Sequence, residues 1–210
     1  MHAITRRRLL GTGAAIGGLA ALPALAETRL VPTPPSTAGP FYPRSFPLDA
    51  DSDLVQVAGR GARARGTVVY LSGKLVTPDG KPISGAQIEL WQCDAGGIYH
   101  HVGEHSRGAD ANFQGYGRAL TAADGGFRFR TIKPVPYPGR TPHIHVIVAG
   151  PGLPKLTTQL YNAGEPQNER DFLFRSIAPA ARAGVLMKFR PAPQLEAGAL
   201  LAEPRLVLPV

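Results

Sequence analysis

Residues 86–93 read AQIELWQC. Ile88 and Leu90 alternate with Glu89 and Trp91, so one face is aliphatic and the other carries a carboxylate and an indole. A two-residue period fits a β-strand, whose successive side chains point to opposite faces. The same grammar continues on both sides. Upstream, TVVYLSGKLV (67–76) is β-branched and partly alternating, and it runs into the turn PDGKP (78–82). Downstream, residues 117–121, the turn 123–126 and FRFRTI (127–132) read as a hairpin. Further strands are expected near 143–148, 156–161, 184–189 and 206–208, with one helical turn within 165–174. The sequence carries no long amphipathic helix and no internal repeat. Short strands separated by turns predict an all-β fold: a β-sandwich of mostly antiparallel strands with long loops, over residues 66–210.

Composition agrees. A chain of 210 residues that is 43% hydrophobic has material for one core. Its 25 glycines and 21 prolines follow no collagen-like period, so they punctuate many short elements. Residues 27–65 form an irregular N-terminal arm rich in proline, and Phe41, Tyr42 and Phe46 give it a reason to wrap onto the domain. Cys93 is the only cysteine, so stability comes from the core rather than from an internal disulfide. It reads as a small buried apolar residue.

Residues 1–26 read as a signal peptide. TRRRLL (5–10) opens an apolar run that ends at the A-x-A site 24–26. The TRR-x-LL pattern resembles a twin-arginine signal, which implies export to the periplasm or beyond, and no membrane attachment once the leader is gone. Removing the leader's three arginines takes the formal charge from +8 to +5. The remaining basic residues are dispersed, which argues against a nucleic-acid partner.

The stretch YPGRTPHIHV (137–146) raises a different question. On a strand, His143 and His145 point to one side while Ile144 points to the other. Pro136, Pro138 and Gly139 bend the preceding segment and can bring Tyr137 back toward the histidines. A second candidate loop, DAGGIYHH (94–101), offers Tyr99, His100 and His101 beside a double glycine that permits a tight turn. Alone, an H-x-H is either half of a metal site or two structural histidines.

The ensemble is more specific. GPFYP (39–43), ELWQ (89–92), GIYHH (97–101), NFQGYGRALTAADGGFRFRTIKP (112–134), YPGRTPHIHV (137–146) and TTQLY (157–161) together resemble the intradiol ring-cleavage dioxygenases, most of all those of the protocatechuate 3,4-dioxygenase type. The resemblance runs from about residue 37 to the C-terminus. It implies one mononuclear non-haem iron(III) per chain, held by Tyr99, Tyr137, His143 and His145. It also implies catalytic roles for Arg140, Gln159 and Tyr137, with a catechol-type diol and O2 as substrates and a cis,cis-muconate-type diacid as product. Tyr137 would be the ligand that departs when the diol binds, while Tyr99 stays. The oligomeric state stays open, a homo-oligomer included.

Elementary chemistry is consistent with that set. Iron(III) is a hard cation that prefers anionic oxygen, and two phenolates supply it. Two phenolates and one hydroxide against a triple positive charge give a neutral centre, which can be buried cheaply. The sequence departs from the family at Ile98, where an arginine is common, and in a short connection between Tyr137 and His143. The arm is also too short for the helical dimerisation domain of catechol 1,2-dioxygenases. Two other readings stand beside this one. Residues 73–86 resemble extracellular β-sandwich modules that bind carbohydrate without catalysis. A zinc or copper enzyme on the same scaffold is the other, though zinc prefers His, Cys and carboxylate to tyrosinate.

Overall fold

The computed structural model describes residues 29–47 and 49–210; the signal peptide expected at 1–26 lies outside the described residues. Among the described residues ten strands form two packed sheets. In the first sheet, β1 (Val68–Val76) pairs along its length with antiparallel β4 (Gly126–Ile132). Its other edge takes β9 (Leu200–Ala202) and then β10 (Arg205–Val207), both parallel, and β8 (Phe189–Pro191) lies beyond β9. The second sheet has the order β3 (Tyr116–Leu120), β2 (Gln87–Trp91), β5 (His143–Ala149), β6 (Leu156–Asn162), β7 (Leu186–Met187). All pairs in it are antiparallel except β6 with β7.

The alternation read from residues 86–93 positions the layers. Ile88 and Leu90 enter the core with Ile144, Val146, Val148 and Leu160, against Val69, Leu71, Leu75, Phe127 and Phe129 of the first sheet. Gly73 is required there, because a Cβ would sit 2.2 Å from the Phe127 ring across the ladder. Trp91 faces the other way and joins a second cluster with Cys93, Tyr99, Tyr116 and Ile147.

That second cluster exists because the outer face of the second sheet is covered. The arm hydrogen-bonds to the sandwich at Leu30 N to Pro78 O, Thr33 N to Val207 O and Ser36 N to Thr157 O. Its aromatics then lie across the sheet. Phe41 stacks on Tyr99, Tyr42 meets Trp91 edge-on and donates its hydroxyl to Glu89 at 2.7 Å, and Phe46 sits over Tyr116. With both faces buried, β5 reads as a near-continuous apolar run.

The expected hairpin at 117–132 is corrected. Its turn forms, with Ala122 N donating to Gly126 O, but β3 pairs with β2 in one sheet and β4 with β1 in the other. The chain crosses between layers at the turn, so the two strands face one core from opposite sides. The single strand expected at 184–189 is a 3-10 run, Pro179–Val185, followed by two short strands. The helical turn expected within 165–174 becomes a 3-10 turn, Pro166–Arg170, and α1, Phe172–Ser176. Among the described residues no helix is long and apolar enough to cross a membrane.

Candidate active site

The covered face of the second sheet carries His143 and His145. Both project outward from β5, while Ile144 enters the core. Across the ladders His143 faces Tyr161, and His145 lies between Trp91 and Gln159. Trp91 stacks flat on His145, with ring centroids 4.7 Å apart and planes at 10°. The two imidazoles converge, Nε2 to Nε2 at 3.2 Å. His143 Nδ1 lies 2.6 Å from the Thr141 carbonyl, an acceptor, so Nδ1 carries the proton and Nε2 presents a bare lone pair. This is the tautomer a metal-ligating histidine needs.

Tyr99 arrives from the loop after β2. Asp94 organises that loop: its Oδ1 accepts from Gly96 N at 2.8 Å and Ile98 N at 3.1 Å, and its Oδ2 accepts from Asp110 N at 2.7 Å. Gly97 adopts φ +77°, and a Cβ there would lie 3.1 Å from the Pro136 carbonyl. Glycine therefore lets the Tyr99 loop close against the segment bearing Tyr137. The two phenol rings meet edge-on at 5.4 Å. Tyr99 is buried, and its hydroxyl has no hydrogen-bond partner. An unpaired buried hydroxyl costs about 1–3 kcal/mol.

Protonation states follow from burial. Burial pushes the Tyr99 phenol well above its ordinary value, and Tyr137 is raised by burial against the opposing pull of Arg140. Burial, with the Arg140 charge, lowers His143 to about 4, and burial holds His145 well below its usual value. Without a cation the site therefore holds two neutral imidazoles and two neutral phenols. Ionising the phenols requires a positive charge placed among them.

Arg140 closes the far side. Its Nη1 donates to the Tyr137 hydroxyl at 3.3 Å and its Nη2 to Gln159 Oε1 at 2.7 Å. Gln159 Oε1 also accepts from the Tyr161 hydroxyl at 3.1 Å, and Gln159 Nε2 donates to the Thr37 carbonyl of the arm at 3.0 Å. The arm therefore folds over the site and grips it. Burial works against the Arg140 charge, but the Asp171 carboxylate 2.7 Å from Nε holds the guanidinium above its ordinary pKa.

The six residues singled out in the sequence thus meet in one place: Tyr99, Tyr137, Arg140, His143, His145 and Gln159. The neighbouring loop histidines do not join them. His101 Nε2 contacts the Gln114 carbonyl at 2.9 Å, His100 packs over Gly115, and exposed His105 lies beside Phe41. Several participants escaped the sequence reading: Asp171, the Thr37 and Thr141 carbonyls, and the Phe41 and Trp91 rings stacked on Tyr99 and His145. Asp171 had a signal, a capping residue before the apolar run FLF. A backbone carbonyl has none.

The family model for the C-terminal part of dioxygenases, described as Dioxygenase, matches residues 37–194. The chain belongs to the intradiol ring-cleavage dioxygenase family. It is 36% identical over 148 residues to the protocatechuate 3,4-dioxygenase beta chain of Burkholderia cepacia, covering 66% of this chain and 63% of that one. It is 33% identical over 150 residues to a hydroxyquinol 1,2-dioxygenase of Corynebacterium glutamicum, covering 62% and 46%. The matched stretch is thus less than two thirds of either relative. Among solved structures, the dioxygenase domain of a dioxygenase carbohydrate-binding protein fusion from Streptomyces sp. SirexAA-E is 37% identical, with a TM-score of 0.67 over 86% of this chain and 99% of that one. Catechol 1,2-dioxygenase from Acinetobacter sp. ADP1 is 26% identical, with a TM-score of 0.65 over 84% and 62%.

Proposed function

We propose that this protein is an exported, iron(III)-dependent intradiol dioxygenase that cleaves catechol-type diols with O2. The observation that carries the reading is the convergence of two imidazole Nε2 atoms, 3.2 Å apart, beside a buried phenol with no partner. Among the described residues no three His, Cys, Asp or Glu side chains group into a metal site. A metal held at this place would therefore rely on the two phenols, and that donor set fits a hard trivalent cation and suits zinc poorly. The relatives' names and the export pattern of residues 5–10 support the rest of the reading.

His143, His145, Tyr99 and Tyr137 would hold the iron. Bound there, iron(III) would supply a Lewis acid for both oxygens of a catecholate and a redox partner that makes the ring reactive toward O2. The chain's own residues do the rest. The Thr141 carbonyl keeps His143 Nε2 free of a proton. Tyr99 is 4% exposed and walled by Phe41, so it stays in place. Tyr137 is only half-buried and hydrogen-bonded to Arg140, so of the two tyrosines it would be the one free to move and to take up a proton from the incoming diol. Arg140 stays behind as a fixed donor, aimed where negative charge develops on the diol ring, and Gln159 Oε1 holds its direction by accepting from Nη2. The arm and the Trp91 ring exclude water from the histidine side.

Purification settles the matter at two levels. The iron-loaded protein is expected to be wine-red, from tyrosinate-to-iron charge transfer, and to convert catechol to a cis,cis-muconate. A colourless iron-loaded protein overturns the ligand set. A ring-opened semialdehyde from extradiol cleavage overturns the iron(III) chemistry.

A further inference from the structure

We infer that Asp171 is a positioning residue, which aims the Arg140 guanidinium into the site and couples it to the start of α1. The inference rests on the function proposed above. Asp171 stands between the 3-10 turn Pro166–Arg170 and α1, in extended backbone. Its side chain is fully buried and its two oxygens have different tasks. Oδ1 caps the helix, accepting from Leu173 N at 3.0 Å and Phe174 N at 2.9 Å. Oδ2 turns to the site, accepting from Thr141 N at 3.0 Å and Arg140 Nε at 2.7 Å.

A helix cap needs one side-chain oxygen. The second oxygen is spent on the rear edge of the guanidinium, and that choice matters for direction. With Nε held from behind, Nη1 and Nη2 are left facing Tyr137 and Gln159. A planar guanidinium fixed at one edge cannot rotate its other nitrogens out of line. The same oxygen holds Thr141 N, and the Thr141 carbonyl fixes His143. Asp171 thus sets the approach of Arg140 and touches the support of a histidine. It also gives a half-buried cation its counter-charge, without which burial would work against it. Direct contact with a diol or with iron is not part of its task, because its carboxylate is fully buried and each oxygen already accepts two N–H donors.

The test separates aiming from capping. Asp171→Ser keeps a capping oxygen and removes the second one. Asp171→Asn keeps Oδ1 but turns an amide toward two N–H donors. Each is made in the natural chain and in Arg140→Ala, and kcat and KM for catechol are measured with iron content and melting temperature. In the natural chain each variant is expected to lower kcat about tenfold to a hundredfold, the scale of a misplaced catalytic group, with the red colour kept. In the Arg140→Ala background the same changes are expected to cost about threefold at most, because the residue acts chiefly through Arg140 and only its Thr141 N contact remains to be lost. An independent readout uses the iron-free protein: the Arg140 Nε–H should exchange slowly with water by NMR, and fast in Asp171→Ser. Equal kcat losses in both backgrounds, or an Nε–H that exchanges fast in the natural chain, overturn the inference while leaving the proposed function standing. A natural chain that binds iron but cleaves no diol overturns the proposed function and this role with it.

Discussion

His143 and His145 present their Nε2 atoms to one point, 3.2 Å apart, from a strand whose intervening residue is buried in the core. His143 Nε2 is a bare lone pair, and His145, whose Nδ1 has no partner among the described residues, either donates an Nε2–H to it or shares a cation with it. The buried Tyr99 hydroxyl beside them, without a partner, favours the cation. His143→Ala and His145→Ala are each expected to abolish iron binding and colour, by analogy with the loss of one of four protein ligands. Iron content and the visible spectrum check this, with circular dichroism to confirm the fold. Full iron and full activity in either variant would show the ligand assignment to be wrong.

Tyr137 and Tyr99 should behave differently. Tyr137 is half-buried and tied to Arg140, whereas Tyr99 is enclosed by Phe41 and Trp91's cluster. Tyr137→Phe is expected to retain part of the iron while losing about a hundredfold or more in turnover, the usual contribution of a proton-transfer group. Tyr99→Phe should lose most of the colour. The spectral change on anaerobic catechol addition checks the exchange step, and an ordinary change with normal rates in Tyr137→Phe would refute it.

The iron-free protein should be acid-sensitive in a defined window. Burial lowers His143 to about 4 in the folded chain and holds His145 well below its usual value, whereas unfolded histidine titrates near 6.5. Between those values the unfolded state binds more protons than the folded one, so stability falls as pH falls through the interval. Above about pH 6.5 the effect vanishes. Melting temperature of the iron-free chain should be flat from pH 8 to about 7 and drop progressively toward pH 4.5. The buried Asp94, lowered to about 2 in the folded chain, begins to lose its stabilising effect only as pH falls toward the unfolded value of about 3.9, so the fall between about pH 6.5 and 5 belongs to the histidines. A melting temperature indifferent to pH between 7 and 4.5 would mean that the histidines are not buried neutral.

Much of this site was legible in the sequence because strand geometry is periodic. An H-x-H in an apolar run must place both rings on one face, and the alternation of residues 86–93 set Trp91 opposite Ile88 and Leu90, though it did not show that this face is shared with His145. What stayed hidden depends on tertiary path. The turn 123–126 has hairpin chemistry, yet its strands join different sheets, and local turn residues carry no information on that choice. Strands of two or three residues such as Leu186–Met187 and Leu200–Ala202 offer too few positions for a period. Arg140 was visible through its motif, but its partner Asp171 lies 31 residues away and looks like an ordinary helix cap.

Substrate range follows from the short connection between Tyr137 and His143. Arg140 N donates to Tyr137 O at 3.0 Å, closing a tight turn, and a Cβ at Gly139 would meet nothing within 4 Å. The cleft beside it, about 480 Å³, is bordered by residues 136–141, Gln167, Arg170 and Asp171. Ile98, half-buried near Gly108 and outside that cleft, stands where the resemblance implies an arginine. An apolar neighbour gives a carboxylate no partner and adds a desolvation cost. Arg107 and Arg118 do not border the cleft. Arg170 does, but it is exposed, so its attraction for an anion is screened by salt. Catechol and 4-methylcatechol are therefore expected to be cleaved at least as efficiently as protocatechuate at moderate ionic strength. The check is kcat/KM for the three diols at low and moderate salt. Low salt should narrow the gap, because a net charge of +5 without the leader favours encounter with an anion. A protocatechuate preference that survives added salt and disappears in Arg170→Ala would reverse the ranking argument. It would place a carboxylate contact at Arg170, in this cleft.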